Sequence, residues 1–290
     1  MKLLRYGNIG YEKPGILDSE GRIRDLSHHV ADITPDCIDV VARLDPRSLP
    51  LVTGNPRLGV PVARVGKIVA IGLNYVNHAE EANLPIPSEP IVYLKAISAL
   101  SGPSDQVILP KNSRKTDWEA ELGIVIGSKA SYVDEATALN YVAGYCVVND
   151  ISEREYQLEH GGTWDKGKGF DTFAPVGPWL VTPDEAGDPQ ALDIWLDLNG
   201  ERMQRGNTRA MIFTCAQIIS YVSSVMSLHP GDIIITGTPP GAGIGKRPHP
   251  VFLKPGDVMT LGISGLGEQR QEVLAWTPSL GLGEAVALTR

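Results

Sequence analysis

Two glutamates, Glu119 and Glu121, are separated by one residue at the start of an apolar, β-branched run that extends to Gly127. Such a run predicts a buried strand, and because side chains alternate across a strand, both carboxylates should face the same side. Two carboxylates on one buried face repel each other and lose hydration. The chain can relieve this by protonating one carboxylate, by pairing both with Arg or Lys, or by holding a cation between them.

A third carboxylate, Asp150, follows a second apolar run at 142–148. An acidic residue at the end of one strand can converge on a cation that a neighbouring strand holds. Three carboxylates without a nearby Cys or His suit hard cations, which here means Mg²⁺ or Mn²⁺, with Ca²⁺ a further occupant in crystals. The pattern therefore predicts a metal site of Glu119, Glu121 and Asp150. Solvent exposure of one glutamate, or ion pairing of both, remains open.

A histidine and a glutamate form the second candidate pair, in the segment that follows the apolar strand at 67–72. His78 and Glu81 are three residues apart, so a short helix would place them on one face. A carboxylate beside a histidine fixes its tautomer and raises its basicity, as a general base for water requires. A surface histidine beside an acidic pair is the alternative.

Three further segments carry polar groups that could bind an acidic substrate. Arg154 closely follows Asp150, where its guanidinium could bind a carboxylate through two hydrogen bonds. An ion pair between Arg154 and a local acid (Glu153, Glu155 or Glu159) is equally compatible with the sequence. Lys168 lies in a glycine-flanked loop and Thr238 in a Gly/Pro-rich turn, and both patterns are also typical of ordinary loops.

The elements that must position these residues are mostly strands. The run from Trp195 to Glu201 alternates and contains Asn199-Gly200, which predicts a β-hairpin. Thr214 could cap a helix to about Met226, and residues 36–43 and 135–141 also favour helix. Residues 1–65 are interpreted as a small N-terminal α/β domain and residues 66–290 as the main domain. No dinucleotide- or phosphate-binding glycine motif occurs where a βα unit would need it.

Charge, composition and cysteine content favour a cytoplasmic protein. The net charge is −8 and no block of Lys or Arg occurs, so we expect neither nucleic acid nor an anionic membrane as partner. The N-terminal residues lack the apolar core of a signal peptide, and no apolar run approaches the ~20 residues of a membrane span. The three cysteines, Cys37, Cys146 and Cys215, are far apart and predict reduced core thiols.

Together these segments resemble the fumarylacetoacetate hydrolase family. The resemblance covers about residues 67 to 274 and rests on five motifs in order. They are GLNYVNHAEE (72–81), WEAELGIVIG (118–127), YVAGYCVVNDISERE (141–155), KGFDTFAPVGPW (168–179) and ITGTPPGAGIG (235–245). The resemblance implies a main domain that is a mixed β-sandwich roll, an overall α+β class that is mainly β, and a homodimer.

The resemblance also implies roles for individual residues. Mg²⁺ or Mn²⁺ would be held by Glu119, Glu121 and Asp150. His78 and Glu81 match the family's water-activating pair. Arg154, Gln157, Lys168 and Thr238 match positions that bind the acid and keto oxygens of the substrate, with Lys168 counted among the catalytic residues. Lys166 is an additional lysine nearby whose role the motifs leave open.

The implied activity is hydrolytic cleavage of a carbon–carbon bond in a 2,4-diketo acid, which releases pyruvate and a second acid. The N-terminal segment and the stretch around residues 164–179 are most similar to the 2,4-diketo-3-deoxy sugar acid hydrolase branch, whose members are often labelled ureidoglycolate lyase. An acylpyruvate is an equally compatible substrate. The alternative activity is that of a lyase or decarboxylase on ureidoglycolate or oxaloacetate. A non-catalytic binding protein is disfavoured because the metal carboxylates and His78 are all present.

Overall fold

The computed structural model describes residues 1–81 and 85–278, except for the side chains of residues 78–80. No helix in these ranges is long and apolar enough to cross a membrane. The first strands are β1 (Lys2–Tyr6), β2 (Lys13–Leu17), β3 (Ile23–Asp25), β4 (Ile68–Gly72), β5 (Ile91–Lys95), β6 (Leu100–Ser101), β7 (Val107–Leu109), β8 (Thr116–Asp117) and β9 (Ala120–Ile126). They are followed by β10 (Val142–Asn149), β11 (Ser152–Glu153), β12 (Ala174–Val181), β13 (Asp193–Leu198), β14 (Glu201–Asn207), β15 (Ile233–Ile235), β16 (Val258–Ile263) and β17 (Gly267–Ala275).

The helices of the described ranges are short except for the last. They are α1 (Ile38–Val41), α2 (Val76–Glu81), α3 (Arg154–Leu158), α4 (Asp165–Lys168), α5 (Pro183–Ala186) and α6 (Cys215–Val225). The 3₁₀ turns are Pro35–Cys37, Pro46–Ser48, Ile97–Ala99, Glu135–Tyr141, Thr208–Ala210 and Gly243–Gly245. Strands dominate, as the sequence predicts, and the mainly β, α+β class is confirmed.

The strands form two large sheets and one small one. The large mixed sheet has the order β3-β2-β1-β12-β10-β9-β15-β4-β5, and β6 also pairs with β12. A five-stranded sheet has the order β14-β13-β16-β17-β7, and β8 pairs with β11 separately. The central strand β9 is buried along its whole length, which explains why its sequence is apolar on both faces.

The two large sheets pack against each other around one hydrophobic core. Strands β9, β10 and β12 of the first sheet contact β13, β16 and β17 of the second. Polar side chains also cross this interface, since Nε2 of Gln269 on β17 donates to the carbonyl oxygen of Val147 on β10 over 2.7 Å. All three cysteines are buried and unpaired.

The N-terminal strands extend the large sheet. β1 pairs antiparallel with β12, so Leu3 lies opposite Leu180, and Leu3 and Ile16 belong to the same core cluster as the central strands. The β1–β12 ladder joins the segment 1–65 directly to the rest of the chain. The predicted division into two domains at residue 65 therefore stays a prediction.

Two predicted elements are confirmed in detail. Asn199 and Gly200 both have positive φ between β13 and β14, as a two-residue hairpin turn requires. Thr214 caps α6 through a capping box with Gln217, and Ile218, Ile219 and Val222 form its buried face. Val225, which the periodicity places on the same face, is exposed in the last turn.

Candidate metal centre and active site

The three acidic residues predicted to hold a metal lie together where β9 begins and β10 ends. β9 and β10 are antiparallel neighbours with Glu121 opposite Val148. The backbone N–H of Asp150 then donates to the carbonyl oxygen of Glu119 over 2.8 Å. Each of Glu119, Glu121 and Asp150 offers a carboxylate oxygen, and these oxygens lie within 4.8 Å of one another. The register of one ladder therefore brings the buried carboxylate of Asp150 to those of Glu119 and Glu121, about thirty residues earlier in the chain.

Three donors bind the carboxylate of Asp150. Nζ of Lys95 donates to Oδ1 over 2.6 Å. Nζ of Lys168 and the hydroxyl of Tyr93 each donate to Oδ2, also over 2.6 Å. Burial alone would raise the pKa of Asp150, but Lys168 and Lys95 lower this pKa far below its ordinary value. The carboxylate is therefore ionised at neutral pH.

Glu119 lies between two cations. Nη2 of Arg154 donates to its Oε1 and Nζ of Lys168 to its Oε2, each over 2.6 Å. Burial opposes ionisation of Glu119, yet Arg154 and Lys168 lower its pKa overall. The pKa of Lys168 is raised, because the attraction of Asp150 and Glu119 exceeds the effect of burial.

The local ion pair considered for Arg154 is wrong. Its guanidinium pairs with Asp117 through Nε, over 2.9 Å, and with Glu119. The short β8–β11 ladder explains this choice, because it places Ser152 opposite Asp117 and so turns the start of α3 toward β8. Asp117 also accepts from the backbone N–H groups of Gly243 and Ile244, over 2.6 and 3.0 Å.

Glu121 differs from the other two carboxylates, because no side-chain cation binds it in the described part of the chain. Its Oε2 accepts a single hydrogen bond, from the backbone N–H of Gly237 over 2.7 Å. Burial raises the pKa of Glu121 well above its ordinary value, and repulsion by Asp150 and Glu119 raises it further. A cation among the three oxygens would remove this repulsion.

These residues fit a hard divalent cation. The linked, buried charges comprise four carboxylates, on Asp117, Glu119, Glu121 and Asp150, and three cations, on Lys95, Arg154 and Lys168. The fully ionised cluster therefore has a net charge of −1. A divalent cation would make it +1, a charge that favours an anionic substrate.

The cluster lies at one side of a cavity of about 410 Å³, a size suited to a small molecule. The described lining combines the charged cluster with apolar and backbone groups. It consists of Ile71, Gly72, Leu73, Glu81, Tyr93, Glu119, Glu121, Arg154, Gln157, Leu158, Trp164, Lys168, Gly237, Thr238, Ile244, Gly245 and Arg247. Of the residues predicted for the site, Glu81, Glu119, Glu121, Arg154, Gln157, Lys168 and Thr238 all line this cavity.

The predicted His78–Glu81 pair is described only in part. Both residues belong to α2, which follows β4 as the sequence predicts. Oε2 of Glu81 accepts from the backbone N–H of Gly241 over 3.1 Å, so its carboxyl group is anchored at the cavity. The side chain of His78 lies outside the described part of the structure.

The remaining predicted residues have different surroundings. Gln157 accepts from Nη1 of Arg154 over 2.9 Å. The hydroxyl of Thr238 donates to the carbonyl oxygen of Ala120 and accepts from Nε2 of Gln204, over 2.9 and 2.8 Å. Lys166 is exposed and donates to the carbonyl oxygen of His160, so it points away from the cluster that binds Lys168.

Sequence reasoning missed four residues of the site. Tyr93 and Lys95 alternate on β5 and both bind Asp150, and Asp117 orients Arg154. Trp164 packs edge-on against Tyr93, with ring centroids 5.4 Å apart. A lysine in a strand that is otherwise apolar was a usable signal for Lys95, whereas the role of Asp117 depends on tertiary pairing.

Several known proteins are similar to this chain over most of its length. Residues 67–274 match the family described as fumarylacetoacetate (FAA) hydrolase C-terminal. A Burkholderia orbicola protein that bears the name "Putative hydrolase" is 62% identical over 276 residues, which are 93% of this chain and 98% of that protein.

Two solved structures are similar over nearly the whole chain. Fumarylacetoacetate hydrolase from Exiguobacterium antarcticum has a TM-score of 0.85 and 32% identity, over 95% of this chain and 100% of its own. Maleylpyruvate hydrolase from Sphingobium sp. SYK-6 has a TM-score of 0.76 and 32% identity, over 95% and 100% of the two chains.

Proposed function

The chain belongs to the fumarylacetoacetate hydrolase family, and on that premise we propose that it is a metal-dependent hydrolase that cleaves a carbon–carbon bond in a 2,4-diketo acid. The proposal rests mainly on one observation. Three buried carboxylates lie within 4.8 Å of one another beside a cavity, and one of them, Glu121, lacks the cationic partners of the others.

In this proposal Glu119, Glu121 and Asp150 hold Mg²⁺ or Mn²⁺. When bound, the cation supplies Lewis-acid polarisation of the keto oxygen and stabilises the negative charge that bond cleavage leaves on the pyruvate fragment. Lys95 and Tyr93 fix the orientation of Asp150, while Asp117 and Arg154 fix that of Glu119.

Lys168, Gln157 and Thr238 line the cavity where the C1 carboxylate and C2 keto oxygen would lie. Lys168 contributes positive charge and Gln157 a polar contact. The hydroxyl of Thr238 donates to the carbonyl oxygen of Ala120, so it would have to rotate to donate to the substrate. Arg154 adds positive charge, although its guanidinium is already bound to Asp117 and Glu119. Its main effect would therefore be to hold Glu119 in place.

His78, oriented by Glu81, would remove a proton from water, and the resulting hydroxide would attack the C4 carbonyl. The C3–C4 bond would then break, its electron pair would stay on C3, and protonation of C3 would give pyruvate together with the second acid. The family resemblance supports this assignment, as does the anchoring of Glu81 at the cavity. The sugar acid branch, the homodimer and the cytoplasmic location also remain proposals that follow from the resemblance.

A lyase or decarboxylase acting on ureidoglycolate or oxaloacetate is the second candidate. The observation that favours it is the position of Lys168, whose ammonium contacts two of the three carboxylates. Charge stabilisation at that point serves a cleavage that needs no attacking water. This alternative predicts that activity depends more on Lys168 than on His78.

A substrate panel tests the function. With Mg²⁺ or Mn²⁺, the protein should convert acylpyruvates or 2,4-diketo-3-deoxy sugar acids to pyruvate and a second acid, identified by mass spectrometry. Oxaloacetate and ureidoglycolate are included in the panel to test the lyase or decarboxylase alternative.

Within the same panel, His78→Ala should lose about 10²- to 10⁴-fold in hydrolysis while still binding oxalate, which resembles the pyruvate end. Unchanged hydrolysis by His78→Ala would remove the water-activating role. Turnover confined to oxaloacetate or ureidoglycolate would replace the hydrolase with the alternative.

A further inference from the structure

The cavity contains a third cationic side chain, besides Arg154 and Lys168, and it lies far along the sequence from the carboxylate cluster. Arg247 lines the cavity and is exposed. Its guanidinium donates to three backbone carbonyls, those of Gly245, Lys246 and Glu81, over 3.1 to 3.4 Å. No carboxylate of the described residues forms an ion pair with Arg247, in contrast to Arg154 and Lys168, each of which has two such partners.

The segment that carries Arg247 is fixed to the site. The backbone N–H groups of Gly243 and Ile244 donate to Asp117, and that of Gly241 donates to Glu81. Lys246 then donates to the carbonyl oxygen of Met203 over 3.0 Å. The carbonyls that bind the guanidinium are therefore held by contacts on both sides, and Arg247 is positioned before any substrate arrives.

Five apolar side chains line the cavity beside its charged and polar groups. Ile71, Leu73, Leu158, Trp164 and Ile244 provide this surface. Thr238 contributes the one aliphatic hydroxyl of the described lining, and that hydroxyl already has a donor and an acceptor partner. Against these five side chains a polyhydroxylated substrate arm would lose hydration without gaining partners, whereas an aliphatic arm fits this surface.

The charges of the cluster and of the substrate indicate a role for Arg247. The cluster with a divalent cation has a charge of +1, so a single substrate carboxylate neutralises it. A second carboxylate that entered the cavity would need another cation, and Arg247 supplies one that forms no ion pair with a described carboxylate.

We propose that Arg247 determines specificity by binding the second carboxylate of a dicarboxylic 2,4-diketo acid, whose acyl arm packs on the apolar lining. This deepens the proposed function and rests on it for the reaction, although the recognition itself can be measured without turnover. It selects acylpyruvates that end in a carboxylate over both simple acylpyruvates and sugar acids, and it would therefore replace the sugar acid branch that the resemblance implies.

The test compares two non-cleavable ligands in the Mg²⁺-loaded protein by calorimetry. 2-Oxoadipate has the α-keto acid end and a distal carboxylate, and 6-methyl-2-oxoheptanoate replaces that carboxylate by an isopropyl group of similar shape. Neither has a C4 carbonyl. The wild type should bind 2-oxoadipate about tenfold more tightly than the isopropyl compound, and Arg247→Gln should abolish this preference.

Two variants control the experiment. Arg247→Lys keeps the charge and should retain part of the preference. Arg205→Gln removes an exposed charge on β14 outside the cavity and should leave the preference unchanged. Equal binding of the two ligands by the wild type would overturn the proposal, as would equal weakening of both ligands by Arg247→Gln.

Ligand binding and turnover, measured on the same protein, distinguish the role of Arg247 from the proposed hydrolase activity. A tenfold ligand preference without cleavage of any diketo acid would leave the role of Arg247 standing and refute the hydrolase. Cleavage of neutral and dicarboxylic acylpyruvates with equal kcat/KM would support the hydrolase and refute the role of Arg247.

Discussion

Two buried carboxylates in different regions show how the same group can serve stability or chemistry. Asp18 follows β2 near the edge of the large sheet, and its side chain is 1% exposed. It accepts from the backbone N–H groups of Glu20 and Arg22 and from the guanidinium groups of Arg22 and Arg24. Burial would raise its pKa, but these donors lower it far below its ordinary value.

Glu121 is similarly buried, with 1% exposure, yet it accepts one backbone hydrogen bond and faces two other carboxylates. Its pKa is shifted in the opposite direction. The difference shows that burial alone does not mark a functional acid. A buried acid without enough donors, beside a cavity, is what indicates a binding site.

The largest expected effect tests the Glu121 side of this comparison. Glu121→Gln should reduce kcat/KM by at least about 10³-fold and weaken Mn²⁺ binding in calorimetry. In chelator its melting temperature should equal or exceed that of the wild type, because the change removes a repelled charge. Full turnover by this variant in chelator-treated buffer would refute the metal site.

A smaller effect, on stability and not on turnover, is expected from a substitution at Asp18. Asp18→Asn should lower the melting temperature by several degrees, because it weakens the bonds to Arg22 and Arg24 and exchanges an acceptor for a donor. The kcat/KM of the folded variant should stay within about twofold of the wild type. If Asp18→Asn impaired turnover as strongly as Glu121→Gln, the two carboxylates would not have the separate roles proposed here.

The smallest effect is a pH dependence. Because the folded-state pKa of Asp18 is depressed, its contribution to stability is present above its unfolded pKa of ~3.9 and is lost as the pH falls further. The stability difference between wild type and Asp18→Asn, measured by urea unfolding in chelator, should be constant from pH 7 to about pH 5. The difference should shrink below about pH 4. A difference that stayed constant in that acidic range would contradict a depressed folded-state pKa of Asp18.

The sequence predicted what depends on local pattern. The two glutamates at the start of an apolar run and Asp150 after another were enough to predict the three-carboxylate group. Strand alternation and ladder register are properties of short segments. The helix capped by Thr214 and the Asn199-Gly200 turn were predictable for the same reason.

Pairings set by tertiary structure were not predictable. Arg154 had three local acids within reach by sequence, but it pairs with Asp117 and Glu119 because the β8–β11 ladder lies beside it. Tyr93 and Lys95 bind Asp150 although three strands separate β5 from β10 in the sheet order and neither residue is close to Asp150 in the chain. No short motif encodes such contacts.

The segment 241–247 limits how this site could change during evolution. A Cβ atom at Gly241 would lie 2.0 Å from the carbonyl oxygen of Met203, and one at Gly243 would lie 1.9 Å from that of Val251. Both approaches involve backbone, so these positions admit little besides glycine. Ile244 and Arg247 carry the side chains that this rigid support presents to the cavity, and new substrate preferences could therefore arise by single replacements there while the carboxylate cluster keeps its geometry.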